Sequence, residues 1–233
     1  MSEIYFVRHG QASLGTKNYD QLSALGEQQA QWLGEHYKQR GLTFDRIITG
    51  EMHRHKQTLA GIEQGMAQTF AVKTDPGFNE FNFGPIMSIY LRRDQADAKT
   101  PKTARAFFDV LRKTMRAWID GDLDTDIALY DQRKGRRTET WLEFNQRVCD
   151  ALDAARQGHR GERVLIVSSG GPKALALKHV MNLSDETTLE LMMQINNTST
   201  TRFNYTEGRI SLTAFNLLPH LEQNARENSV TLV

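Results

Sequence analysis

The sequence predicts an α/β fold: a three-layer α/β/α sandwich with a mostly parallel sheet, a single domain over residues 1–233 and a helical cap inserted at 87–138. Three observations predict it. Short β-prone apolar runs alternate with amphipathic helical stretches. Several of the runs end in polar or glycine-rich segments of the kind found at the carboxyl ends of parallel strands. A charged, helix-prone stretch from about Met87 to Thr138 interrupts the alternation, which resumes after it.

The first run, Ile4 to Val7, is short and apolar, as suits a buried parallel strand, and ends at Arg8-His9-Gly10. A polar loop leads to Ser23, a helix-capping residue, with Glu27 as a first-turn carboxylate. Leu25, Ala30, Leu33 and Tyr37 keep a helical period to about Arg40, and Gly41 stops it. Phe44 to Ile48 reads as the second strand, Met52 to Gly65 as a helix, and Phe70 to Thr74 as a third strand closed by the turn residues Asp75-Pro76-Gly77. After the insertion, Glu139 to Gln157 is amphipathic and Val164 to Val167 is strongly strand-like. Ser168-Ser169-Gly170-Gly171-Pro172 then passes into a helix from about Lys173 to Met181. Thr198 to Tyr205 and Arg209 to Phe215 form a hairpin around Thr206-Glu207-Gly208.

Bulk composition narrows the function classes. Lys and Arg number 29 against 28 Asp and Glu, a formal net charge of +1. No global basic excess recruits nucleic acid or an anionic membrane, so an anionic ligand must be held by a local cluster. Cys149 is the only cysteine, which rules out an intrachain disulfide and suits a reducing compartment. The opening MSEIYFVRHG lacks the pattern of a signal peptide, and no run of about 18 apolar residues occurs. The expectation is a cytoplasmic protein.

Ligands of open α/β sheets bind beyond the carboxyl ends of the strands. If the strands are parallel neighbours, three segments converge there: Arg8-His9-Gly10-Gln11, Thr49 to Gln57, and Ser168 to Gly171. A neutral imidazole such as His9 is a good nucleophile near pH 7. An adjacent guanidinium binds phosphate oxygens through its fork. Arg54, at the start of the second helix, offers a second clamp or a solvated basic turn. Glu80 lies among aromatics in Phe78-Asn79-Glu80-Phe81-Asn82-Phe83-Gly84, where desolvation would raise its pKa and suit a general acid; the alternative is a surface carboxylate.

With these residues in place, the chain resembles the histidine phosphatase superfamily, the phosphoglycerate-mutase-like group, over nearly its whole length. Arg8-His9-Gly10 resembles the signature at the first strand end, and Leu22-Ser23-Ala24-Leu25-Gly26 with Gln29-Ala30 resembles the first helix. Arg54 with Gln57-Thr58 resembles the second-arginine motif, Glu80 with Gly84 the acid/base motif, and Asn216 to Leu221 the terminal Asn-x-x-x-His-Leu. The resemblance implies that His9 takes the phosphoryl group as a phosphohistidine and that Arg8 and Arg54 hold its oxygens. It implies further that Glu80 protonates the leaving alkoxide, then deprotonates the attacking water. It implies no metal or organic cofactor.

One position departs from the pattern. The family shows Ser-His-Gly-Gly after its late strand, and here Ser169 stands where that second histidine belongs. Losing one preorganised donor of this kind lowers rates by about 10²–10³. The strand, the glycines and the helix N-terminus still form an anion-binding geometry, so Gln11, Ser169, Gly170 and Gly171 are expected to bind substrate, and binding should survive better than turnover. His53 and His55 flank Arg54 and are the nearest candidates to replace the missing histidine, but successive helical side chains point about 100° apart, so at most one can share its direction. A metal site at His9, His53 and His55 lacks a carboxylate or cysteine at ligand spacing.

Other candidates read as structural. Cys149 suits a small apolar helix position, Trp118 and Trp141 suit packing, and His220 suits a structural hydrogen bond. The run Arg133, Lys134, Arg136 and Arg137 is a solvated loop or a gatherer of anionic substrate. Three functions compete: a cofactor-independent phosphomonoesterase, a catalytically impaired binder of phosphorylated metabolites or phosphoproteins, and a phosphoglycerate mutase. Partners are therefore expected to be phosphorylated small molecules or proteins, not nucleic acid or membrane. Substrate identity and oligomeric state are not encoded in any motif of the chain.

Overall fold

The computed structural model describes residues 1–13, 20–94, 104–135, 137–223 and 225–232. The strands are β1 (Ser2–Arg8), β2 (Arg46–Thr49), β3 (Val72–Thr74), β4 (Arg163–Ser168), β5 (Thr200–Thr206) and β6 (Arg209–Leu217). The helices are α1 (Ala24–Gln39), α2 (His53–Met66), α3 (Phe83–Asp94), α4 (Ala104–Ile119), α5 (Asp124–Lys134), α6 (Trp141–Ala155), α7 (Gly170–Met181) and α8 (Asp185–Met192). The chain divides into two compact units, residues 1–80 with 148–233, and residues 81–147.

The first unit is built on one sheet in the order β3-β2-β4-β1-β5-β6. β3, β2, β4 and β1 pair in parallel, while β5 runs antiparallel to β1 and β6 antiparallel to β5. This is a mostly parallel sheet of the α/β class. β1 and β4 sit at its centre, and their residues are apolar on both faces because helices cover both. On one face Ile4, Phe6, Val164 and Ile166 pack with Ala151, Leu152 and Ala155 of α6 and Ala176 and Leu177 of α7. On the other, Tyr5, Val7, Leu165 and Val167 pack with Leu33 and Tyr37 of α1 and Leu59, Ile62 and Met66 of α2.

Local chemistry sets the element ends that matter for the site. The Ser23 hydroxyl accepts from the Gly26 amide at 3.0 Å and starts α1. Gly10 and Gly26 make a close crossing, since a β-carbon at Gly10 would stand 2.3 Å from the Gly26 carbonyl oxygen. Gly208, with φ +73°, carries the turn between β5 and β6.

Two sequence expectations need correction. α7 begins at Gly170, not near Lys173, with Ser169 at its N-cap position in extended backbone. Pro172 therefore lies in the first turn, where its missing N–H would have been unpaired anyway. α8 was not foreseen; its signal is Ser184, whose hydroxyl accepts from the Thr187 amide at 3.2 Å ahead of the acidic residues Asp185 and Glu186.

The second unit is helical. Its core is aromatic: Trp118 lies 4.8 Å from Phe81, 5.3 Å from Trp141 and 5.9 Å from Phe144, ring centre to ring centre. Trp118 donates its indole N–H to the Glu139 carbonyl at 3.0 Å, so both tryptophans are packing residues. Arg133, Lys134 and Arg137 are exposed, and Arg136 lies outside the described residues. No helix among the described residues is long and apolar enough to cross a membrane.

Candidate active site

β2, β4 and β1 are neighbours running in the same direction, so the segments that follow them come together at one edge of the sheet. The first segment is anchored by backbone. His9 N–H donates to the Ser168 carbonyl at 2.8 Å, and the Thr198 N–H donates to the Arg8 and His9 carbonyls at 3.1 and 3.2 Å. Asn197 adds a side-chain bond to the His9 carbonyl at 3.1 Å. Arg8 donates through Nη1 to the Ile195 carbonyl.

The His9 ring is buried, and its Nδ1 lies 2.7 Å from the Gly10 carbonyl oxygen. A carbonyl only accepts, so Nδ1 carries the proton and Nε2 keeps its lone pair. Burial first, then the cations Arg54 and Arg8 and the His55 ring, hold the His9 pKa well below its ordinary value. His9 is neutral near pH 7, the form in which an imidazole has a lone pair to offer.

Asp20 organises the second segment, and nothing in the sequence pattern singled it out. It accepts from the His53 and Arg54 amides at 2.9 and 3.4 Å and from Arg54 Nη1 at 2.9 Å. One carboxylate therefore caps α2 and orients the Arg54 guanidinium, which is buried. Thr58 joins the two segments: its hydroxyl donates to the Arg54 carbonyl at 2.7 Å and accepts from the Gly10 amide at 3.0 Å.

His53 and His55 separate, as the helical geometry demands. His53 is exposed, while His55 is fully buried with Nε2 2.7 Å from Ser169 Oγ. Arg54 Nη2 reaches the same oxygen at 3.4 Å. Gly170 sits beside the Arg8 side chain, and the Gly171 amide donates to Glu80 Oε2 at 3.0 Å. Ser168 donates to the Phe78 carbonyl at 2.6 Å, which ties the loop before Glu80 to the end of β4.

Arg8, His9, Arg54, Glu80, Ser169, Gly170 and Gly171 thus belong to one connected edge of the sheet. Gln11 lies on its rim, where its side-chain oxygen accepts from the Ser23 hydroxyl at 2.8 Å. His220 reaches that edge only through Thr198, whose amide holds the Arg8 and His9 carbonyls. Because Thr198 Oγ1 gives its proton to the Asn197 carbonyl at 2.7 Å, His220 Nε2 donates to Thr198 at 2.8 Å. Cys149 is half-buried, and burial pushes its thiol pKa up. Among the described residues no three His, Cys, Asp or Glu side chains are grouped to hold a metal ion.

The fold and this edge define an α/β protein of the phosphoglycerate-mutase-like kind. Several solved structures share the fold. A phosphoserine phosphatase from Entamoeba histolytica in complex with phosphoserine superimposes with a TM-score of 0.60 at 20% identity, covering 95% of this chain and 100% of that one. A putative alpha-ribazole-5'-P phosphatase from Escherichia coli gives a TM-score of 0.64 at 18% identity, covering 93% and 98%. In sequence, the probable phosphoglycerate mutase GpmB of Yersinia enterocolitica is 26% identical over 213 residues, covering 89% of this chain and 86% of that protein. The model of the histidine phosphatase superfamily (branch 1) matches residues 4–218, and the chain belongs to that family.

Proposed function

We propose that the chain is a cofactor-independent phosphomonoesterase that works through a phosphohistidine on His9. His9 Nε2 attacks phosphorus, a P–N bond forms and the ester P–O bond breaks. Glu80 gives its proton to the departing alkoxide. Water then attacks the phosphohistidine, Glu80 takes its proton, and the P–N bond breaks to release phosphate. Arg8 and Arg54 hold the phosphoryl oxygens, and the amides at the start of α7 add donors. Phosphoryl transfer of this kind is mostly positioning plus electrostatics.

The observation that carries this reading is the His9 tautomer. With Nδ1–H tied to the Gly10 carbonyl at 2.7 Å, the lone pair sits on Nε2 of a buried, neutral ring flanked by two guanidiniums. Family membership supports it, as do structural neighbours whose ligands are phosphorylated small molecules: phosphoserine in one and 3-phosphoglyceric acid in another.

The test is phosphate release from a panel of phosphomonoesters that includes p-nitrophenyl phosphate. Turnover lost in His9→Ala supports the mechanism, and full activity in that variant ends it. Ser169 motivates a second reading, a catalytically impaired protein that binds phosphorylated metabolites or phosphoproteins. It predicts phosphate binding lost in Arg8→Ala or Arg54→Ala with no turnover in the unmodified chain.

A further inference from the structure

The scheme above leaves one buried titratable side chain at the site without a task. His55 is 0% exposed, and it follows the clamp residue Arg54 directly. Burial, with Arg54 second, holds its pKa well below the ordinary value, so the ring is neutral. A neutral imidazole carries one N–H, and the surroundings say where it is. Nδ1 faces the backbone at Gly50, where a β-carbon would stand 2.3 Å from it, and it has no hydrogen-bond partner. Nε2 has Ser169 Oγ at 2.7 Å. The proton therefore sits on Nε2 and is donated to Ser169, because the other tautomer would bury an unpaired N–H.

The consequence falls on Ser169. Its hydroxyl oxygen has two acceptor positions and one proton. His55 Nε2 at 2.7 Å and Arg54 Nη2 at 3.4 Å fill both acceptor positions. The hydroxyl proton stays uncommitted, since the two bonds at Ser169 Oγ among the described residues are both ones it accepts. Charge-assisted and neutral donation into Oγ together polarise the O–H and strengthen it as a donor. The two groups come from different elements, His55 from α2 and Ser169 from the β4–α7 junction. Gly50 is what leaves room for the ring between them.

We infer that His55 and Ser169 act as a two-residue donor relay in place of a single histidine, with Ser169 O–H donating to a phosphoryl oxygen and His55 holding and polarising it. No proton is transferred in the relay: His55 N–H donates to Ser169 Oγ, and Ser169 O–H donates to the phosphoryl oxygen. Ser169 touches the substrate, and His55 is a positioning residue that acts through it. The inference rests on the phosphomonoesterase reading and explains how that activity persists with serine at position 169.

The test is a set of variants assayed for phosphate release from p-nitrophenyl phosphate, with thermal melts to confirm folding. His55→Ala is expected to lower kcat by about 10²-fold, the scale of one lost preorganised donor. His55→Gln, whose amide nitrogen reaches the place of Nε2, should stay within about fivefold of the unmodified chain, while His55→Asn, which mimics Nδ1, should behave like Ala. In a Ser169→Ala background the further change His55→Ala should cost less than about twofold, because the two act as a unit. The double change His55→Ala with Ser169→His should recover activity.

His55→Ala within about twofold of the unmodified chain, with His9→Ala inactive, overturns the relay and leaves the phosphatase intact. Equal losses in Gln and Asn variants that melt normally also overturn it, because packing alone would then explain His55. Activity surviving His9→Ala overturns the phosphohistidine reading instead. If the unmodified chain shows no turnover, inorganic phosphate binding by calorimetry decides. Weakening of about tenfold in both His55→Ala and Ser169→Ala, with no further loss in the double variant, supports the relay, and unchanged affinity overturns it.

Discussion

The His9 and His55 rings lie 5.8 Å apart, centre to centre, with their planes tilted by 32°. Two imidazoles that close, both buried and both beside Arg54, cannot readily carry charge together. Each holds one N–H in a fixed direction. His9 sends it back to the Gly10 carbonyl, and His55 sends it forward to Ser169.

His9 should resist protonation. Its pKa is lowered by burial and then by Arg54 and Arg8. An NMR titration of the ring nitrogens should show His9 still neutral below pH 6.5, and Arg8→Gln should move its titration upward. A His9 that titrates at its ordinary value would contradict the neutral nucleophile.

Acid should destabilise the fold through the same groups. The pKa values of His9 and His55 are depressed in the folded state, and that of His220 is pushed down to about 3 by burial. Unfolding lets each imidazole bind a proton below pH 6.5, so the unfolded state holds more protons there and stability falls as pH falls. Each such histidine contributes a slope of about 1.4 kcal/mol per pH unit between its unfolded and folded pKa. Melting temperature measured from pH 7.5 to 5 should therefore drop steadily, and His220→Gln should flatten the decline.

Glu80→Gln should separate substrates by leaving group. A carboxylic acid that protonates the leaving oxygen contributes about 10²–10⁴-fold where that oxygen is basic, and much less for a nitrophenolate. The expected loss is large for an alkyl phosphate and small for p-nitrophenyl phosphate, measured as kcat on the two substrates. Equal losses would point to a positioning effect through the Gly171 amide that Glu80 accepts.

Gly10→Ala should damage both fold and site. The new methyl would stand 2.3 Å from the Gly26 carbonyl oxygen, so the His9 segment and the start of α1 must move apart. Overpacking of this kind costs about 1–3 kcal/mol. Thermal unfolding should show the loss, and activity should fall with it because Gly10 also carries the carbonyl that sets the His9 tautomer.

Lys173→Met should loosen the clamp from behind. Lys173 is fully buried and gives Nζ to the Ser199 carbonyl and hydroxyl at 2.7 and 2.8 Å. The same carbonyl accepts from the Arg8 amide at 3.2 Å. Removing the amine takes one of two donors from the Ser199 carbonyl and the donor from its hydroxyl oxygen, at a cost of about 1–3 kcal/mol. The denaturant midpoint should fall, and phosphate binding should weaken because the Arg8 backbone loses its support.

Much was readable in the sequence because it is written locally. The runs Ile4 to Val7 and Val164 to Val167 announce buried parallel strands, and the residues just past such strands are the ones a ligand meets. Arg8, His9, Arg54, Glu80 and Ser169 could be named on those grounds together with the family resemblance. Spacing along α2 also showed that His53 and His55 must diverge.

It could not show which of the two turns inward. That was decided by the order β2-β4-β1, which sets α2 beside the end of β4, and by Gly50, which leaves the space an imidazole needs. Asp20 at the head of α2, Thr58 between Gly10 and Arg54, and Lys173 beneath Ser199 were invisible for the same reason. Each acts on a partner distant in sequence, and a hydrogen bond of about 3 Å leaves no periodic trace along the chain. The sequence by itself determined the central strands and pointed to His9 and Ser169 as residues of the strand-end edge. Only the tertiary structure placed the His55 ring against Ser169, because that contact exists only once two helices from separate strands meet at one sheet edge.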